Sequence, residues 1–225
     1  MTNNADAPRA TTTQSTKGNY PVATVGTDDP KERAIISAAR QIFLSNGFDG
    51  ASMDAIAHTA GVSKRTVYNR FQSKEALFGA AIEETCKRIL PVSLDGLETA
   101  APIEQVIEDL ARSILYGILE PEAIALRRIA TFEAGRKPEL GHSFLEHGLH
   151  YMINAGTAIF ERLAAANDLD IDDPHTAICQ LGALITEPLY SELLLGGPPD
   201  NLDAAIEKQL SDGLSAFWKL YGGKS

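Results

Sequence analysis

Between positions 64 and 74 the chain carries Lys64, Arg65, Tyr68, Asn69, Arg70 and Lys74. On a helix, residues three and four apart share a face, so Arg65 and Asn69 stand together with Lys64 and Tyr68 beside them. A guanidinium or a carboxamide makes paired hydrogen bonds to base edges, while ammonium and phenol groups suit phosphate oxygens. Such a face points to double-stranded DNA, read in the major groove. An ordinary three-helix bundle would bury Ile56, Val62 and Phe71 but has no use for these polar groups on and just beyond one helix.

A second constellation lies at His142, Glu146 and His150, at i, i+4 and i+8 of one predicted helix face, with His147 adjacent in projection. That spacing would let it hold Zn²⁺ or Ni²⁺, but it is more often a polar face with partly buried imidazoles, and no metal is assigned to it. The chain has no Gly-x-Ser-x-Gly elbow, no Gly-rich phosphate loop and no His-Glu-x-x-His, so neither catalysis nor a cofactor is expected. Cys86 and Cys179 are far apart, outside any CxxC spacing, and read as small apolar residues of a core.

The elements that must position the polar face follow from caps and periodicity. Asp29-Pro30 is an N-cap with proline at the first helical position, and Ile35, Ala38, Ala39, Ile42 and Phe43 recur at helical spacing up to Asn46-Gly47. Ser52 caps a short second helix carrying Ile56 and Ala57, which ends at Ala60-Gly61-Val62, where Gly61 suits a positive φ. Ser63 caps a third helix reaching about Phe71, and Ser73-Lys74-Glu75-Ala76 opens a fourth reaching about Leu90 before Pro91. Helices joined by a tight glycine turn fit a helix-turn-helix: Ala57 must be small for them to cross, and Val62 and Val67 must fill the gap. Beyond these, breaks at Glu120-Pro121, Lys137-Pro138, Asp173-Pro174 and Gly196-Gly197-Pro198-Pro199 delimit helices at about 101–118, 121–135, 139–167, 174–195 and 201–221. The fold class is all-α. Residues 30–78 form a three-helix helix-turn-helix domain and residues 79–225 a second helical domain; residues 1–29, rich in Thr, Asn, Ala and Pro, read as a flexible tail.

Composition sets the outer limits. The 225 residues, 44% hydrophobic and 22% charged, are enough for a core without disulfides or metals. Apolar runs fall short of the ~18 residues a membrane span needs, so no membrane partner is expected. Met1 to Asp6 lack the basic cluster and apolar stretch of a secretory signal, which makes a cytoplasmic address the expectation. The net charge of −10 divides into −1 for residues 1–30, +1 for residues 31–85 and −10 for residues 86–225. This argues against a non-specific nucleic-acid coat and leaves room for a local basic footprint in the N-terminal part.

The run from Glu32-Arg33-Ala34-Ile35-Ile36 through Phe43, Gly47-Phe48, Ser52-Met53-Asp54-Ala55-Ile56-Ala57, Ala60-Gly61-Val62-Ser63 and Thr66-Val67-Tyr68-Asn69-Arg70-Phe71-Gln72-Ser73-Lys74-Glu75-Ala76-Leu77 closely resembles the N-terminal DNA-binding domain of TetR-family transcriptional regulators. The turn glycine, the Tyr-x-x-Phe and the Ser-Lys-Glu segment are all in place. The resemblance implies an Ω-shaped homodimer of helical subunits that occludes a promoter by binding a palindromic operator, with residues 30–78 as the DNA-binding domain and residues 79–225 as the helical effector-binding and dimerisation domain. By motif position, Ser52, Tyr68 and Lys74 would hold phosphates, and Lys64, Arg65, Thr66 and Asn69 would lie nearest the bases. Downstream, Leu126-Arg127-Arg128-Ile129 with Glu133-Ala134 and Pro138-Glu139-Leu140 resembles the C-terminal domain of TetR-type regulators related to AefR, which implies a helix order but no ligand.

A small-molecule effector of unknown identity is therefore the expected second partner. Phe132, Phe144, Tyr151, Phe160 and Cys179 are apolar candidates for its cavity, with Arg128, Glu133 and His147 as polar anchors. The acidity of residues 86–225 favours a neutral, apolar or cationic effector, and Arg127, Arg128, Arg136 and Lys137 are the groups that would receive a carboxylate. For the homodimer, Ile178, Leu181, Leu184, Ile185, Leu189, Leu193 and Leu194 with Ala205, Leu214, Phe217 and Trp218 offer more apolar surface than one side of a monomer readily hides. That places the interface on the last two long helices as a four-helix bundle, so that Leu189→Glu or Phe217→Glu would give monomers.

Overall fold

The computed structural model describes residues 29–90, 102–166 and 171–222, which are helical without a strand among them. The expected tail lies outside the described residues except for Asp29. The N-terminal helices are α1 (Pro30–Gly50), α2 (Met53–Thr59), α3 (Lys64–Arg70) and α4 (Lys74–Ile89). Then come α5 (Ile103–Ile118), α6 (Pro121–Ala134), α7 (Pro138–Phe144), α8 (Tyr151–Ala166), α9 (Pro174–Thr186), α10 (Leu189–Leu195) and α11 (Leu202–Tyr221).

The early helices start where their caps put them. The hydroxyls of Ser52, Ser63 and Ser73 each accept a hydrogen bond from the N–H three residues on, at Ala55, Thr66 and Ala76, all at 3.1 Å. Asp29 does the same for Lys31 at 2.9 Å. Each such cap contributes roughly 1 kcal/mol by satisfying an otherwise unpaired donor. Two glycines hold left-handed backbone, Gly47 at φ 70° and Gly61 at φ 66°; the first kinks α1 and the second makes the turn between α2 and α3.

The apolar residues form two cores. The first takes Ile35, Phe43 and Phe48 from α1, Ile56 from α2, Val67 from α3 and Phe78 from α4, and extends to Cys86 of α4, Leu126 and Ala130 of α6 and Leu140 of α7. The second gathers α5, α8, α9, α10 and α11 around Phe160 and Phe217, whose rings meet edge to face at 6.0 Å. Ion pairs join the N-terminal helices to the rest. Glu122 of α6 pairs with Arg40 of α1 at 2.6 Å and Arg88 of α4 at 3.4 Å, and Asp49 pairs with Arg136 at 2.9 Å and with Lys137.

Three expectations need correcting. The helix expected at 174–195 is two helices, because Pro188 has no N–H to continue the ladder from α9 into α10. The helix expected at 139–167 contains a π-turn at Leu145–His150, whose wider hydrogen bonding rotates all that follows. Leu181, Ile185, Leu189 and Phe217, expected at a dimer surface, are buried within their own subunit, as are Ile178 and Leu193. The reason is the close approach of α11 to α9: a Cβ on Gly213 would meet the Leu184 carbonyl at 2.6 Å, so nothing but backbone separates the two helices there. Leu184, Leu194, Ala205, Leu214 and Trp218 remain partly exposed around this core.

Phe217→Ala therefore costs about 3–5 kcal/mol of stability, read as a lowered urea midpoint of the C-terminal core. Phe217→Glu buries a charge and abolishes the folded core. A stable, fully helical monomer from Phe217→Glu would contradict this placement.

Candidate nucleic-acid interface and cavity

The α2–α3 unit stands on a rigid base. Ala57 and Val67 are buried between the helices, and the Val62 N–H donates to the Ala57 carbonyl at 3.0 Å across the glycine turn. This leaves one side of α3 facing solvent. Lys64, Arg65, Tyr68 and Asn69 are all exposed there, and Tyr68, at 45% exposure, is unusually open for a large aromatic residue. The side chains of Arg65 and Asn69 make no hydrogen bond or ion pair among the described residues, so their donors and acceptors are available.

The neighbouring groups differ in how far they are already committed. Lys64 pairs with Asp54 of α2 at 2.8 Å, and that hydrogen bond holds its ammonium above the usual lysine range. Its charge also lies 5.9 Å from the centre of the Tyr68 ring. Thr66 is half-buried, and its hydroxyl shares a 2.8 Å hydrogen bond with Ser63. Ser52 is exposed at the start of α2, where its hydroxyl serves as the cap. Arg70 turns away from the face to pair with Asp29 at the start of α1.

Lys74 has a structural task that its motif position does not reveal. Its ammonium donates to the carbonyls of Phe48 at 2.7 Å and Ala51 at 2.9 Å, and sits 4.4 Å from the centre of the Phe48 ring. Two of its three N–H groups thus close the link between α1 and α2. Asp54, the partner of Lys64, was the residue sequence reasoning missed; its i, i+10 separation across a turn carries no periodic signal.

Away from this face lies a cavity of about 330 Å³ walled by α4, α5, α6, α8, α9 and the start of α10. Of the residues expected to line it, Phe144 and Cys179 do. The others do not. Phe132 is 72% exposed on the outer side of α6. Glu133 is buried 3.9 Å from Lys137 and 4.0 Å from Arg136. Arg128 donates to the carbonyls of Leu193 and Leu194, and His147 bonds to Glu83 of α4 at 3.1 Å. Tyr151 packs beside the first core and Phe160 belongs to the second. A π-turn runs through the stripe expected of His142, Glu146 and His150, and among the described residues no three His, Cys, Asp or Glu side chains are grouped to hold a metal ion.

Sequence reasoning missed the α4 wall, Ile82, Thr85 and Ile89, although these recur at helical spacing, and Tyr190, for which no periodic signal exists so close to Pro188. Burial, with Glu83 nearby, pushes the Cys86 thiol up to about 12, so it stays protonated and acts as apolar wall.

A helix-turn-helix with an open polar recognition face is the architecture of a DNA-binding transcriptional regulator. Comparison with known proteins places it more closely. Residues 35–81 match the family of bacterial regulatory proteins of the tetR type, and residues 105–223 match the C-terminal domain of AefR-like transcriptional repressors. The chain belongs to the TetR family. A TetR-family regulator structure from Mesorhizobium loti is 32% identical with a TM-score of 0.72, over 85% of this chain and 96% of that one. The flavonoid-responsive regulator FrrA is 37% identical with a TM-score of 0.64, over the same shares of the two chains. The transcriptional regulator UidR of Escherichia coli K12 is 32% identical over 111 residues, 49% of this chain and 55% of its own, so this chain spans only about half that relative's length. Among the described residues no helix is long and apolar enough to cross a membrane.

The position of Lys74 generates a prediction that needs no DNA. Lys74→Met leaves the carbonyls of Phe48 and Ala51 without their charged donor and costs about 1–3 kcal/mol, so the thermal midpoint of the free protein falls. An unchanged midpoint would show the two hydrogen bonds to be immaterial.

Proposed function

We propose that the chain is an effector-responsive repressor that binds a palindromic operator as a homodimer. The observation that carries this reading is the open face of α3, held on a helix-turn-helix whose core continues through α4 to the wall of a ligand-sized cavity. Arg65 and Asn69 read base edges, assisted by Lys64 and by Thr66 at the start of the helix. Tyr68 and Ser52 hold phosphates, joined by the remaining N–H of Lys74. A recognition helix of seven residues is too short to be selective alone, so two must enter successive major grooves about 34–36 Å apart.

Residues 30–78 supply the DNA-binding domain and residues 79–225 the effector and dimer surfaces. The partly exposed Leu184, Ala205, Leu214 and Trp218 of α9 and α11, with the exposed Leu220, are among the apolar groups still available for a partner subunit. The name of FrrA, a flavonoid-responsive regulator, supports an effector that enters the cavity, and the AefR-like match supports repression. An effector that binds better to a spread dimer than to the operator-bound one shifts the equilibrium by its differential affinity alone.

Selection from randomised duplexes should return an inverted repeat, and fluorescence anisotropy should show affinity for it falling steeply with salt. Arg65→Ala then costs about 1–3 kcal/mol and changes the preferred bases. Tyr68→Phe weakens all sequences alike. Binding indifferent to sequence, or an Arg65→Ala variant that keeps its base preference, would sink the reading.

A further inference from the structure

Of the cations in the C-terminal part that sequence analysis singled out, three are already engaged. Arg128 donates to the carbonyls of Leu193 and Leu194, and Arg136 and Lys137 both pair with Asp49. Arg127 differs. It lines the cavity, and among the described residues no carboxylate lies within ion-pairing distance of it. Its guanidinium instead sits between two rings, 5.3 Å from the centre of Phe144 and 5.1 Å from that of Tyr190. Cation–π contacts on both sides hold the charge in place without neutralising it.

Most of the rest of the wall is apolar, with Met152, Cys86 and Cys179 adding sulfur, and its other polar side chains are Thr85, Thr186, Glu187 and Tyr190. Sulfur packs favourably against aromatic ring edges. The hydroxyl of Thr85 is spent on the Ala81 carbonyl at 3.0 Å. Burial pushes the Tyr190 phenol up, an effect Arg127 partly offsets and the charge of Glu187 reinforces, so Tyr190 keeps its proton and can donate it. Among the described residues Glu187 is the only carboxylate on the lining, and its residue is exposed. An uncompensated guanidinium in an apolar cavity attracts an anion more strongly than it would in water, and its planar fork matches a carboxylate.

We propose that the cavity takes a compact aromatic monoanion, an aromatic carboxylic acid or acidic phenol, whose charged group sits on Arg127 and Tyr190 while its ring lies against the apolar and sulfur-bearing wall. This inference rests on the effector-binding reading given above. At about 330 Å³ the cavity is at the small end of ligand sites and suits one or two fused rings.

The test is isothermal titration calorimetry of the full chain with 2-naphthoate and 4-hydroxycinnamate, each paired with its neutral carboxamide, and with octanoate as an aliphatic acid. At least one aromatic acid should bind roughly 10- to 100-fold tighter than its amide, the range a charge-assisted hydrogen bond supplies, and tighter than octanoate. Arg127→Met removes the preference for the acid, whereas Arg136→Met keeps it. Arg127→Lys, which retains the charge and loses the fork, gives an intermediate preference and serves as the test should Arg127→Met not fold. Amides binding as well as acids, an acid preference that survives Arg127→Met, tighter binding of octanoate, or no binding of either aromatic acid would each overturn the proposal. The same ligands are then added to the protein on its selected duplex. An acid that binds through Arg127 and leaves operator affinity unchanged supports the ligand class and defeats the effector reading.

Discussion

The ring of Phe48 is where the molecule is pinned together. After the left-handed turn at Gly47 the chain reverses enough to stack Phe48 on Phe43 of α1 at 5.7 Å and to set it edge-on to Phe78 of α4 at 5.6 Å. Two ammonium groups face the same ring, Lys74 at 4.4 Å and Lys137 at 5.0 Å, and Lys74 also caps the Phe48 carbonyl. α1, the first turn of α4 and the connection between α6 and α7 therefore meet on one side chain. Aromatic pairs and cation–π contacts each contribute only about 0.5–1.5 kcal/mol beyond burial. Their convergence is what matters, since none of the elements can shift without breaking several at once.

That pin gives α4 a double membership. Its first half closes the core under the helix-turn-helix through Leu77, Phe78 and Ile82, and its second half walls the cavity through Thr85, Cys86 and Ile89. Gly79 lets the neighbouring π-turn come close, since a Cβ there would meet the His147 ring at 2.6 Å. Glu83 bonds to His147 of that turn and to Lys87 of its own helix. Burial alone would raise the Glu83 carboxyl, yet these two partners hold it below the usual glutamate range. In the effector-responsive reading proposed above, a ligand in the cavity presses on the helix that carries Lys74 beside the open face of α3. On the proposed function this is how occupancy reaches α3, and packed helices transmit such a shift because they do not deform continuously.

Much of the N-terminal part was legible because local chemistry decides it. Serine caps at Ser52, Ser63 and Ser73, the proline after Asp29 and the glycine at Gly61 each act over a few residues, and the helices start and turn where those residues require. The C-terminal part was less legible because phase decides it. A π-turn at Leu145–His150 and a break at Pro188 rotate the helices after them, so a residue's spacing no longer tells which side it faces. Tyr190, which follows Pro188, lies against the cavity for this reason, whereas Phe132 sits on α6 ahead of both breaks and faces outward because that helix turns Leu126 and Arg127 to the cavity instead. The apolar residues of α9 and α11 read by spacing as facing a partner, whereas Ile178, Leu181, Ile185 and Phe217 close the subunit's own core, where α11 meets α9 at Gly213. Arg127 and Arg128 are neighbours in sequence, and only the fold shows that one caps α10 while the other enters the cavity.

Whether the open side of α3 is the DNA interface can be read from amide hydrogen exchange of the protein with and without its selected duplex. Exchange should slow from Ser52 to Lys74, most at the start of α3, with little direct protection at Leu189–Leu195 on α10. Tight duplex binding with unchanged exchange across Lys64–Arg70 would contradict that interface.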